Sequence, residues 1–211
     1  AFFAEGQSWG LPPLVPGASR AEGHEHVEAS IAAHLSIASM LRIDHVAGLH
    51  RSFWVPDGMS AQEGVYVTQP SEELYAVLSI LSREHGATIV GENLGTVPRE
   101  VNRAMRRRGV LGMRIAQFEL GDERNPLPRL ERDSLAALNT HDMPTFRAYW
   151  TGHDIDLFES LGLLDDAEGE RQARERRRAA VRKALAIDAA EGDDTIPVML
   201  AVLGHLASQR E

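Results

Sequence analysis

The chain has 211 residues, 43% of them hydrophobic and 25% charged, which is ordinary globular composition with enough length for a sizeable core. Its formal net charge of -9 argues against a nucleic-acid partner and against an acidic membrane surface. The absence of cysteine excludes a disulfide framework and thiolate chemistry and fits a cytoplasmic protein. No apolar run approaches the roughly 18 residues of a membrane span, and no secretory signal opens the sequence.

The sequence begins abruptly with AFFAEGQSWG, as though cut from something longer, and stays rich in glycine and proline to residue 20. A helix is expected over 24–39, followed by a short strand over 40–44. Side chains alternate along a strand, so Arg42 and Asp44 share one face while Leu41 and Ile43 share the other. Residues 46–70 read as a long loop. Over 71–85, Leu74, Val77, Leu78 and Leu81 recur at helical spacing, with Ser71 as the expected cap and Gly86 as the stop. ATIVGEN (87–93) reads as a buried strand with Val90 and Glu92 on one face. VPREVNRAMRRRG is a helix with Pro98 near its start and Gly109 just past its end. Further strands are expected over 112–119 and 135–141, and helices over 143–150, 155–162, 166–187 and 194–208. The arginine runs at 106–108 and 174–178 read as solvated helix faces.

Strands alternating with helices imply βαβ units and a parallel sheet. Three of the four strands end in polar residues: Asp44, Glu92 and the pair His141–Asp142. Both barrels and doubly wound sheets place their chemistry at the carboxyl ends of strands. No glycine-rich phosphate loop follows any strand here, so the expected fold is α/β, part of a (β/α)8 TIM barrel.

A guanidinium beside Asp44 favours its ionised form, as a nucleophile requires. Glu92 has no adjacent cation in sequence and lies between Gly91 and Asn93–Leu94, a setting that suits a raised pKa and a general acid. Two carboxyl groups in different environments point to glycoside chemistry, which a retaining enzyme performs with the pair about 5–5.5 Å apart. His141 and Asp142 lie where the chain turns out of its strand, where they can bind sugar hydroxyls and stabilise positive charge. Each signal alone is weak. Their order carries the reading, with Asp44, Glu92 and Asp142 each expected to close a strand.

At these residues the sequence resembles the 4-alpha-glucanotransferases, the amylomaltases or disproportionating enzymes of glycoside hydrolase family 77 in the alpha-amylase clan. The matching stretches are FFAEGQSWGLPPLVP, LRIDHVAGLHRSFWVP, IVGENLGTVPREV, GVLGMRIAQFE and LNTHDMPTFRAYW. The resemblance implies Asp44 as nucleophile, Glu92 as acid/base and Asp142 as the transition-state carboxylate. It also implies Arg42, His45 and His141 as substrate-binding neighbours, and a channel loop bearing Gln7 and Trp9. The reaction it implies moves alpha-1,4-glucan segments between maltodextrins, with maltooligosaccharides as substrates and neither metal nor organic cofactor. The sequence departs from the family at Asn93, where aspartate is frequent, at Asn139, and in MPT after Asp142. Residues 1–150 are expected to hold a partial catalytic barrel and 151–211 a helical extension of the same domain. Family members are longer barrels, so the chain is expected to be a fragment, inactive by itself, with unpaired strand edges.

Two other readings stand beside this one. An alpha-glucan hydrolase of the same clan would use water in place of the acceptor. A metal-dependent barrel hydrolase would recruit His45, His141 and Asp142 with His24, Glu25 and His26, since imidazole and carboxylate are credible zinc ligands. Residues at i and i+2 do not share a helical face, which weakens that ligand set. Phe53 and Trp54 serve equally as loop anchors or sugar platforms, whereas Tyr149 and Trp150 read as packing residues. Arg114 faces inward from its strand or pairs with Gln117 or Glu119.

Overall fold

The computed structural model describes residues 10–188 and 195–209, and these form a mixed α/β structure of two compact units that meet in sequence at Met113 and Arg114. In the first unit the chain runs through helices α1 (Pro16–Ala21) and α2 (Glu25–Leu35) into strand β1 (Met40–Ile43). A 3-10 turn (Val46–Leu49) then leads to strands β2 (Arg51–Trp54) and β3 (Val65–Thr68), helix α3 (Ser71–His85), strand β4 (Thr88–Gly91) and helix α4 (Arg99–Arg108), and strand β5 (Gly112–Ile115) spans the sequence boundary between the units. β1 and β4 pair in parallel, with Met40 opposite Thr88 and Ile43 opposite Gly91. The carbonyl of Leu111 accepts from Gly91 N–H at 2.8 Å and its N–H donates to Ile89 at 3.0 Å, extending the parallel arrangement. A parallel pair needs a crossover, and α3 supplies it.

The expected alternation holds in β1. Leu41 and Ile43 pack with Ile89 against a core built from Val46, Tyr75, Leu78, Leu81, Val101 and Met105. Arg42 lies on the other face, where its Nε donates to Met113 Sδ. Gly86 and Gly109 stop α3 and α4 in the left-handed conformation, with φ of 60° and 68°. Burying the apolar face of α3 stabilises this unit far more than its intrinsic helix propensity does.

The long loop expected over 46–70 instead contains an antiparallel hairpin, with Phe53 opposite Tyr66 and Trp54 opposite Val65. The helix expected over 24–39 forms as α2 but ends early, at Leu35, and a separate short helix, α1, precedes it. His24 stands between them with φ of 62°, its ring bonded to Ser19 Oγ at 2.8 Å and to Glu73 Oε2 at 2.9 Å. Hydrogen bonds from the Arg20 guanidinium and then from His24 hold the Glu73 carboxyl below the usual carboxylate range. Ser71 begins α3 rather than capping it, because Pro70 takes the cap position.

The second unit contains α5 (Ala116–Glu119), strand β6 (Ser134–Ala137), and helices α6 (Phe146–Thr151), α7 (His153–Ser160), α8 (Ala167–Ala184) and α9 (Thr195–Ser208). β5 pairs with β6. The strand expected over 112–119 turns helical after Ile115, and β6 ends at Ala137, short of His141. Tyr149 and Trp150 are core, packed with Phe146, Val181, Val198 and Val202.

The arginine run on α8 is not simply a solvated face. Arg174 is 9% exposed and makes two 2.9 Å bonds to Asp154, while its guanidinium lies 3.9 Å from the Tyr149 ring. Its neighbours Arg178 and Arg182 lie over Trp150. On α4, by contrast, Arg107 and Arg108 pair with Glu72 at the surface. Arg114 pairs with Glu119 at 3.7 Å and with Glu131. Among the described residues no helix is long and apolar enough to cross a membrane.

Candidate active site

Asp44 and Glu92 each follow the last residue of one of two hydrogen-bonded parallel strands. Ile43 lies opposite Gly91, so the two acids each leave the sheet directly after the same paired step. The ladder continues past the strands, for Glu92 N–H donates to Ile43 O at 2.8 Å and Glu92 O accepts from Val46 N–H at 3.0 Å. The side chain is tied as well. Glu92 Oε2 accepts from His45 N–H and Oε1 from Leu94 N–H, both at 2.9 Å.

The donor His45 has an unusual backbone, with φ of 43° and ψ of 61°. For a residue with a Cβ the left-handed region costs about 1–2 kcal/mol. Here it redirects the chain from the strand end into the 3-10 turn. His45 therefore meets Glu92 through its backbone, and its ring is left exposed.

Arg42 and Asp44 form the pair that strand alternation predicts, with Nη2 2.6 Å from Oδ1 and side chains 33% and 63% exposed. An exposed pair of this kind contributes little to stability. Its use is directional, since it holds a carboxylate at the strand end with a solvent-facing oxygen.

His141 and Asp142 belong to the second unit, in the turn between β6 and α6, with His141 Nε2 3.2 Å from Asp142 Oδ1 and both side chains mostly exposed. They lie beyond the end of β6 rather than on it, so the turn positions them. Asn139 and Gln117 side chains both donate to Pro144 O, at 3.4 and 3.2 Å, and Thr145 caps α6 by accepting from Ala148 N–H. Gln7 and Trp9 lie outside the described residues.

The ligand set of the metal reading is dispersed. His24 uses both ring nitrogens on Ser19 and Glu73, and its neighbour His26 is exposed. Among the described residues no group of three or more His, Asp or Glu side chains is placed to hold a metal ion.

Two features escaped sequence reasoning. Asn93 joins Asn102 on α4 to the backbone of Met113, at 2.7 and 2.8 Å. In the second unit a cleft of about 510 Å³ is bordered by Phe118, Glu119, Asp122, Asn125, Arg176 and Arg177. Phe118 is 64% exposed there, because the helical turn of α5 swings it out of the strand direction expected for it.

Comparison with known proteins gives a consistent result. The family profile described as 4-alpha-glucanotransferase, glycoside hydrolase family 77, matches residues 1–209. A 4-alpha-glucanotransferase from Haemophilus influenzae is 36% identical over 163 residues, covering 76% of this chain and 23% of that protein. One from Mycobacterium bovis is 35% identical over 218 residues, covering 97% and 30% respectively. The crystal structure of amylomaltase from Corynebacterium glutamicum superposes with a TM-score of 0.76 at 31% identity, over 89% of this chain and 28% of that one. The chain thus spans under a third of the length of each of these three relatives.

Proposed function

The chain belongs to the 4-alpha-glucanotransferase family, glycoside hydrolase family 77, and on that premise we propose that it carries the catalytic carboxylates of a retaining 4-alpha-glucanotransferase. The substrates are alpha-1,4-glucans and maltooligosaccharides. The units are parts of a (β/α)8 barrel, a reading supported by the parallel β1–β4 pair joined through α3. Within it, residues 1–150 are catalytic and 151–211 are a helical extension of the same domain. The cysteine-free sequence suits a cytoplasmic setting.

Glu92 protonates the leaving glycosidic oxygen while an Asp44 oxygen attacks the anomeric carbon, forming a glycosyl ester and releasing the shortened glucan. Glu92, now a carboxylate, takes the proton from the 4-hydroxyl of the acceptor glucan, which attacks the same carbon and frees Asp44. Asp142 stabilises the positive charge that develops on the ring, and His141 binds sugar hydroxyls. Arg42 aims Asp44, and the backbone N–H groups of His45 and Leu94 hold Glu92. Both half-reactions use carboxylates alone.

The observation that supports this reading is that Asp44 and Glu92 each directly follow one of two paired parallel strands, β1 and β4. The test is a chimera in which the matched segment of the Corynebacterium glutamicum amylomaltase is replaced by this chain. It should convert maltotriose into glucose and longer maltooligosaccharides, and Asp44→Asn should abolish the conversion. Full turnover by the Asp44→Asn chimera would sink the assignment.

A further inference from the structure

Beside Glu92, Asn93 makes a pair of hydrogen bonds that neither carboxylate role demands. Its Oδ1 accepts from Met113 N–H at 2.8 Å and its Nδ2 donates to Asn102 Oδ1 at 2.7 Å. A backbone N–H can only donate, so the oxygen must face Met113, which leaves the NH2 for Asn102. The site is tight, because a Cβ at Gly112 would stand 3.0 Å from Asn93 Nδ2. Met113 in turn sets its sulfur 3.3 Å from Arg42 Nε, and Arg42 Nη2 reaches Asp44 Oδ1 at 2.6 Å. The contacts are contiguous from α4 to the end of β1.

We infer that Asn93 is a positioning residue for Asp44: its amide seats Met113, whose sulfur fixes the plane in which Arg42 meets the nucleophile. This rests on the reading of Asp44 as nucleophile. An arginine that is one-third exposed and bonded at one nitrogen can swing about that bond. A second contact on Nε removes that freedom. Thioether sulfur suits the task because it is a weak, uncharged acceptor. It orients the guanidinium without competing for its charge, whereas a carboxylate at the same place would draw Arg42 away from Asp44. The identity of residue 93 thereby reaches the nucleophile without touching substrate.

Nuclear magnetic resonance on the 15N,13C-labelled chain tests this directly, through exchange of the Arg42 Nε–H and the backbone amide of Met113 and through the Asp44 carboxyl carbon signal. Asn93→Leu should speed both exchanges about tenfold relative to the amides of Leu78 and Leu81 in α3, and should move the Asp44 signal. Asn93→Asp keeps an acceptor oxygen and should restore both rates to within about twofold of wild type. Met113→Leu conserves volume, so the fold should survive. It should leave the amide at position 113 protected while releasing the Arg42 Nε–H. Unchanged Arg42 exchange and an unmoved Asp44 signal in these variants would overturn the inference, and Met113→Leu decides it alone if Asn93→Leu fails to fold. None of these readouts requires turnover, so the relay and the catalytic assignment fail or stand separately.

Discussion

Gly91, the residue immediately before Glu92, is the most sensitive place to perturb the site without touching a carboxylate. It sits on the helix-facing side of β4, where a Cβ would stand 2.8 Å from Met105 Cε, 2.8 Å from Val46 Cγ2 and 3.1 Å from Val46 Cβ. The methionine terminus is flexible and can move aside at little cost. Val46 cannot, because it is fully buried, stiff at χ1, and bonded through its N–H to Glu92 O. Overpacking of this kind costs about 1–3 kcal/mol, and the lower unfolded-state entropy of alanine returns about 0.4–1 kcal/mol. Gly91→Ala should therefore destabilise by about 1–2 kcal/mol. Urea unfolding followed by circular dichroism measures this as a lowered midpoint at unchanged slope. A second prediction is built into the same assay: Val46→Ala should cost less in the Gly91→Ala background than alone, because the two side chains compete for one space. A Gly91→Ala protein as stable as wild type, with no coupling to Val46, would refute this account of the strand end.

The remaining predictions concern buried charge. Asp154→Ala leaves the Arg174 guanidinium buried without its bidentate partner and should cost about 3–5 kcal/mol, whereas the double change Asp154→Leu with Arg174→Met should recover most of it; chemical denaturation of the two variants beside wild type decides. His50 lies against the Tyr75 ring with its Nε2 buried and unpartnered, and burial pushes its pKa down. Its unfolded-state value is about 6.5. With the folded value lower, His50 is neutral in both states above about pH 6.5, and stability is lost as pH falls through that value toward the folded one. Unfolding midpoints between about pH 7.5 and 5 should therefore fall less steeply in His50→Gln than in wild type; parallel pH profiles would contradict this.

How far the sequence revealed this structure depends on the range of the forces involved. β1 was legible because Leu41 and Ile43 alternate with Arg42 and Asp44, β4 because Ile89 and Val90 form a short apolar run, and α3 and α4 because Gly86 and Gly109 mark where each must stop. The hairpin was hidden because the loop joining RSFW to VYVT holds Pro56, Asp57 and Gly58, which read as continuous turn. The break at Ile115 left no local mark either: Gln117 N–H finds its partner at Leu138 O, far along the chain. Asp44 and Glu92 could be picked from strand-end position alone. The His45 conformation that follows Asp44 could not, because a left-handed residue with a side chain is imposed by its surroundings. Nor could the Asn93–Asn102 pair, whose members lie on different elements and carry no charge or periodicity to link them.

The central claim is that Asp44 attacks the anomeric carbon and Glu92 serves the leaving and incoming oxygens. It is tested most directly by trapping the glycosyl ester: the chimera carrying this chain with Glu92→Gln is given maltotriosyl fluoride, digested and mapped by mass spectrometry. A maltotriosyl adduct on Asp44 is the predicted result. An adduct on another residue, or turnover of the fluoride with no ester at Asp44, would contradict it.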